Sequence, residues 1–247
     1  MHGVPVTAEH LGLKGPRGWA FREVSLDAGP GALIAVEGPS GSGRTCLLLA
    51  LTGRMKATEG TATVGGHRLP KKLAAVRRIS AVANVPGVTD LEPALTVGEH
   101  LRERALLQRR FGGSLRDLVR PRAERAAGAG QRVSDALAAA GLDLRSLPKG
   151  SRTAVRDLER IEALRLSVAL ALVGAPRLLA VDDADLKLSQ TEREEMQALL
   201  ASIAAAGTTV VAVCGKAPAG AVVVRTENTE TSHDEEAGDA LAATGRA

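Results

Sequence analysis

The residues Gly38-Pro39-Ser40-Gly41-Ser42-Gly43-Arg44-Thr45 gather three glycines, a cation and a hydroxyl into one short span. Glycines at this spacing let the backbone turn so that several N–H groups face one anionic oxygen cluster, and a helix starting there adds its positive end. A hydroxyl at Thr45 suits a divalent cation held beside phosphate oxygens. The pattern is that of a phosphate-cradling loop with one change, because Arg44 stands where lysine is usual. A guanidinium keeps the charge but is planar and forked, so its reach and hydration differ from those of an ammonium. The competing reading of the same residues is a glycine-rich turn that holds no ligand.

The flanking residues decide between the two. Ala32-Leu-Ile-Ala-Val36 is an apolar run of strand length, and Cys46-Leu-Leu-Leu-Ala-Leu51 reads as the start of a buried helix. Strand, glycine loop and helix are the context a phosphate loop requires. Further strands are expected at Val4–Glu9, Phe21–Leu26, Thr61–Val64, Arg177–Val181 and Thr208–Val213. The stretch from Val97 to about Ala140 is helical in pattern, with breaks expected at Phe111-Gly-Gly113, Arg120-Pro-Arg122 and Gly128-Ala-Gly130. One long helix is predicted from Thr153 to Val173, ended by Gly174-Ala-Pro176. Strands alternating with helices favour a parallel sheet covered by helices. After Thr226 the chain is Thr, Glu, Asp and Ala with little to bury, so an acidic, mobile tail is expected over 226–247.

Composition sets the bounds. At 247 residues, with 45% hydrophobic and 24% charged side chains, the chain can build a sizeable core as one α/β domain or as a core with a smaller helical insert. Trp19, Phe21 and Phe111 are its whole aromatic set, so that core must be Ala, Leu and Val. The formal charge is +4, and between Leu101 and Arg165 basic side chains outnumber acidic ones fifteen to eight. With no aromatic stacking platform beside it, this reads as a solvated arginine-rich helical face, and no nucleic-acid partner is expected. Cys46 and Cys214 lack metal-ligand spacing and read as the reduced thiols of a cytoplasmic chain. No apolar run approaches the roughly 18 residues needed to cross a bilayer, so any membrane role is expected to come through a partner.

The order of these pieces resembles the ATP-binding cassette of ABC transporters over roughly residues 4 to 225. The resemblance rests on Val24-Ser-Leu26, a turn at Gly29–Gly31, the phosphate loop, Gly60-Thr-Ala-Thr-Val-Gly65, Leu95-Thr-Val-Gly-Glu99 and Ala175-Pro-Arg-Leu-Leu-Ala-Val-Asp-Asp183. It implies an α/β P-loop NTPase fold: a mostly parallel central sheet, an N-terminal antiparallel β part, and a helical subdomain near 97–165. It implies ATP and Mg²⁺ as cofactors, bound through Gly38 to Thr45, with Thr45 and Asp182 on the metal side. Asp183 falls at the family's general base, normally Glu, and is one methylene shorter. Asn84 falls near the glutamine that links the metal to the transporter. Both acids also admit a plainer reading, as a strand-end turn capping the next segment.

Other positions depart from the family. Leu158-Glu-Arg-Ile-Glu162 stands where Leu-Ser-Gly-Gly-Gln is usual, so Glu159 brings negative charge and Ile161 brings bulk to a place meant for phosphate. The switch histidine falls at Gly215. The adenine-stacking aromatic expected near Lys14 and Gly15 is missing, leaving Trp19 either as a substitute or as strand-end packing. Glu37, just before the loop, is expected to point away from phosphate through strand alternation. The implied function is an ATP-binding subunit coupled to a separate membrane permease, as a homodimer or a heterodimer with another cassette, on the inner face of the cell membrane. Hydrolysis is expected to be weak or partner-dependent. The alternative is a non-catalytic scaffold or nucleotide sensor that keeps the cassette fold.

Overall fold

The computed structural model describes residues 3–16, 18–111 and 122–227. Of the expected acidic tail, residues 228–247 lie outside the described residues, as does most of the break expected at 111–113 and 120–122.

Two sheets organise the chain. Strands β1 (Val6–Gly15), β2 (Gly18–Ala28), β4 (Glu59–Val64) and β5 (His67–Leu69) form an antiparallel sheet in the order β2-β1-β4-β5. Strands β3 (Leu33–Glu37), β6 (Ser80–Ala83), β7 (Leu178–Val181), β8 (Thr209–Val213) and β9 (Val222–Arg225) form a parallel sheet in the order β6-β7-β8-β3-β9. Helices fill the crossovers: α1 (Arg44–Leu51), α2 (Leu73–Ile79), α3 (Val97–Phe111), α4 (Arg122–Ala139), α5 (Arg160–Leu172) and α6 (Gln190–Ala205).

The parallel strands are apolar on both faces, and strict alternation sorts them between two cores. Ile34, Val36, Leu178, Ala180, Val211 and Val213 face the first core, with Leu47, Leu48 and Leu51 of α1 and the inner face of the antiparallel sheet. Leu33, Leu179, Val181, Val210 and Ala212 face the second. There they meet Leu164 and Val168 of α5, Met196 and Leu200 of α6, and Leu101 and Leu137 of α3 and α4. The helices after Val97 therefore share their core with one face of the sheet.

Two expectations needed correction. Helix α4 runs through Gly128-Ala-Gly130 without a break. Two isolated glycines lower helix propensity by about 1 kcal/mol each, which an 18-residue helix absorbs. The long helix expected from Thr153 begins only at Arg160. Residues 153–155 are held in extended backbone instead: Val97 N–H donates to Thr153 O at 3.0 Å and Val155 N–H to Leu95 O at 2.9 Å. One 3-10 turn, Val155–Asp157, then leads into α5. Pairing with a distant segment overrode the local helical pattern.

Candidate functional site

The loop Gly38–Thr45 joins β3 to α1, and its shape is fixed by what packs behind it. Gly43 is the N-cap of α1 at φ 79°, and a Cβ there would run into the Ala20 carbonyl of β2. Glycine is required on both counts. A Cβ on Gly38 would collide with Thr226 and Ser42. Ser42 is 1% exposed; its hydroxyl donates to Pro39 O at 2.8 Å and shares a 2.6 Å hydrogen bond with the Thr226 hydroxyl. The opposite side is open, since Gly41 is exposed and a Cβ there would meet nothing within 4 Å. Glu37 turns away as expected: Oε1 accepts from Ala217 N–H at 2.7 Å and Oε2 lies 3.5 Å from Arg225 Nε.

Parallel pairing carries the end of β7 to the end of the loop. The Thr45 hydroxyl donates to Asp182 Oδ2 at 2.8 Å across 137 residues of sequence. Asp182 is fully buried, and its Oδ1 accepts Asp183 N–H at 3.1 Å. Burial pushes its carboxyl above the ordinary carboxylate range; the Thr45 hydroxyl opposes this, the Asp183 charge adds to it, and Arg44 pulls the other way. Neither Asp182 nor Arg44 has an ion-pair partner among the described residues, and Arg44 has no hydrogen bond there either. A buried carboxylate and a neighbouring unpaired guanidinium suit a divalent cation and a polyphosphate held together. Among the described residues no group of three or more His, Cys, Asp or Glu could hold a metal ion. Thr45 and Asp182 would thus give a hard cation two oxygens, with phosphate and water supplying the rest.

Asn84 and Asp183 stand beside this pair. Asn84, at φ 55°, donates its Nδ2 to Asp182 O at 2.8 Å, while its N–H donates to Ser167 Oγ of α5 at 2.7 Å. It thereby ties the ends of β6 and β7 together. Asp183 takes φ 43°, a conformation costly for a side chain of L configuration and concentrated at functional sites. Pro39 and Ser40 complete the exposed rim of the loop. Asp185 went unnoticed in the sequence, although the run Asp182-Asp183-Ala184-Asp185 marks it. Its Oδ2 accepts Gly215 N–H at 2.7 Å, pinning the place where an imidazole was expected. Next to it, burial together with the Asp185 and Glu37 carboxylates pushes the Cys214 thiol up to about 12.

Glu159 and Ile161, expected at the signature position, have local work. Glu159 is the N-cap of α5, with its N–H donating to Glu162 Oε2 at 2.9 Å, and Ile161 is 6% exposed in the second core. Two carboxylates at a helix N-terminus satisfy its orphan N–H groups and complement its dipole. Trp19 pairs with Lys14 across the hairpin, and its ring lies against Gly12 with Lys14 Nζ at 5.5 Å and the Arg22 guanidinium at 5.2 Å from the centroid.

Comparison with known proteins agrees with this architecture. The ABC transporter family model matches residues 21–185. The Nod factor export ATP-binding protein I of Cupriavidus metallidurans is 30% identical over 188 residues, 76% of this chain and 55% of that protein. The Fe(3+) ions import ATP-binding protein FbpC of Streptomyces avermitilis is 31% identical over 192 residues, 77% of this chain and 49% of that one. The chain thus spans about half the length of these two curated relatives. Among solved structures, the ATP-binding cassette MJ0796, a dimer bound to ADP and Pi, superposes with TM-score 0.64 at 22% identity, covering 85% of this chain and 88% of that one. A bacterial Atm1-family ABC exporter with ATP bound gives 0.62 at 21% identity over 86% of this chain and 35% of that one. At these identities the structural likeness speaks for the fold alone. Family model, relatives and fold coincide on the strand, loop and helix described above: the chain belongs to the ABC transporter family and has the fold of its ATP-binding cassettes.

Proposed function

We propose that this chain is the ATP-binding subunit of an ABC-type transport system, holding MgATP at Gly38–Thr45 and acting on a separate membrane permease. The observation that carries the reading is the 2.8 Å bond from the Thr45 hydroxyl to Asp182, which joins the two halves of a magnesium-phosphate site. The loop N–H groups and Arg44 would take the phosphates, and Thr45 and Asp182 the cation; bound Mg²⁺ would supply charge neutralisation. Asp183 is the candidate base, oriented by its own backbone bond to Asp182. Because it is shorter than Glu, its carboxylate stands back from an attacking water, and a misplacement of about 1 Å costs on the order of a hundredfold in rate. We therefore expect slow hydrolysis, partner-dependent where another cassette supplies an intact signature segment, while Gly215 leaves this site without an imidazole. The 97–165 helices are read as a subdomain within this cassette and 226–247 as its tail. Among the described residues no helix is long and apolar enough to cross a membrane, which fits a membrane contact made through a partner.

A second reading, a nucleotide sensor or scaffold without turnover, is favoured by one observation: the signature position has become a self-satisfied helix cap. Calorimetric titration with MgATP and a single-turnover assay separate the readings. Binding with slow turnover supports the transport subunit, binding without turnover the sensor, and no binding at millimolar MgATP the scaffold. Turnover at full speed by the isolated chain would refute the impaired-cassette reading.

A further inference from the structure

The strand order β7-β8-β3 puts the end of β8 between the two halves of the phosphate site. On one side the turn after β7 carries Asp182, Asp183 and Asp185, and on the other the loop after β3 carries Gly38–Thr45. That turn is fastened to the end of β8 at two points: Ala184 N–H donates to Val213 O at 2.9 Å, and Gly215 N–H donates to Asp185 Oδ2 at 2.7 Å. The Asp185 carboxylate is therefore held at one place between the strand ends. A Cβ added to Gly215 would stand 3.3 Å from Asp185 Oδ2 and, chain neighbours aside, would meet nothing else within 4 Å. The carboxylate thus borders a space that is otherwise open, beside a glycine that is itself exposed.

Its charge is the second observation. Asp185 is half-buried and has no ion-pair partner among the described residues. Lys216, the residue after Gly215, is exposed and pairs with no acid there either. The Asp185 charge also reaches into the site. Burial is the main reason that the Cys214 thiol is pushed up to about 12; the Asp185 and Glu37 carboxylates add to it, and Arg44 of the loop opposes them. Asp185 and the loop cation therefore act on one buried atom from opposite signs. Glu37 is already engaged by Ala217 N–H and Arg225, whereas Asp185 has only the neutral Gly215 N–H. A cation held by Thr45 and Asp182 offsets the Asp182 charge first, so it does not cancel the carboxylates that follow.

We infer that Asp185 sets the ligand class of this site: its carboxylate repels a third phosphate, so that the chain prefers a nucleoside diphosphate to a nucleoside triphosphate. The inference rests on the nucleotide-binding reading above and sharpens it. Two phosphates suffice to occupy the loop N–H groups and to share a cation with Thr45 and Asp182. A third would extend toward the turn after β7 and the end of β8, where the Asp185 carboxylate is fixed. Selectivity of this kind comes from a like charge set against the wrong ligand, with no added contact to the right one.

The test titrates MgADP and the slowly hydrolysed triphosphate MgATPγS by calorimetry into the full chain, Asp185→Asn and Asp185→Glu. The parent should bind MgADP about tenfold tighter than MgATPγS, the size of one like-charge contact in a partly solvated site. Asp185→Asn removes the charge while keeping an oxygen for Gly215 N–H, so MgATPγS should tighten about tenfold and MgADP should stay within about twofold. Asp185→Glu keeps the charge and should keep a preference for MgADP. A merely structural role for Asp185 would move both nucleotides together, and that outcome would overturn the inference. So would a parent that binds the two equally or favours MgATPγS, or a preference left unchanged in Asp185→Asn. Binding of neither nucleotide by the parent at millimolar concentration would instead sink the nucleotide reading, and this inference with it.

Discussion

Asp182→Asn gives the sharpest test of the site, because the structure fixes the sign of two separate effects. The carboxylate is fully buried and accepts two hydrogen bonds, from the Thr45 hydroxyl and Asp183 N–H. Replacing a charged acceptor by a neutral one weakens these by roughly 2 kcal/mol in total. Against that, the desolvation penalty of a buried ion is several kcal/mol, and desolvation is the largest influence on Asp182. The net result expected for the ligand-free chain is stabilisation by about 1 kcal/mol, or a rise of roughly 2–4 °C in Tm.

The pH dependence follows from the same balance. A carboxyl raised in the folded state favours folding below its unfolded pKa, and this contribution is lost as pH rises through the folded pKa. The parent is therefore handicapped at neutral pH, and the advantage of Asp182→Asn should shrink as pH falls toward 4. Ligand reverses the ranking. MgATP at a hundred times its Kd adds about 2.7 kcal/mol to the parent, or roughly 5–10 °C, and should add little to the variant. Scanning calorimetry at pH 7.5 and pH 5, with and without MgATP, reads all four conditions. A ligand-free variant that melts lower than the parent at pH 7.5, or an undiminished MgATP shift in the variant, would refute the reasoning.

Three further outcomes are expected. Arg44→Lys should tighten MgATP binding by up to about tenfold, since a compact ammonium suits the loop better than a fork; unchanged calorimetric affinity and unchanged turnover would count against use of the loop. Gly43→Ala should lower stability by about 2 kcal/mol or more in denaturant titration and abolish nucleotide binding, because φ 79° and the Ala20 carbonyl both exclude a Cβ. Asp183→Glu should raise the single-turnover rate about tenfold or more at unchanged MgATP affinity if reach limits the base, whereas an unaltered rate would place the defect at Gly215 and the α5 cap.

The parts of the site legible in the sequence were those with a local signature. Loop residues 38–45 carry glycines at a spacing few other structures need, and β3, β7 and β8 are apolar runs that can only be buried. The start of α6 has a local signature too, the Ser189 and Glu192 capping box, where the hydroxyl accepts Glu192 N–H at 3.3 Å. The helix predicted from Thr153 failed because residues 153–155 take their hydrogen bonds from residues 95–97, which no local pattern reports.

Taken alone, the sequence determined the chemistry on offer: a glycine-rich loop with an arginine, two acids at a strand end, and a segment, Leu158–Glu162, without serine or glycine. Periodicity and glycine spacing are short-range properties, and they suffice for that. Only the tertiary structure decided what those residues do to one another. Parallel pairing of β6, β7, β8 and β3 brings Asp182 to Thr45 and Asn84 to Asp182, and its burial sets the carboxyl's shifted pKa. The same topology turns Glu159 and Ile161 into a cap and a core residue, and it brings Arg54, from the turn after α1, and Arg104 of α3 to the wall of one cavity. Charge and hydrogen bonding depend on distance and burial, and those are fixed only once the sheet is assembled.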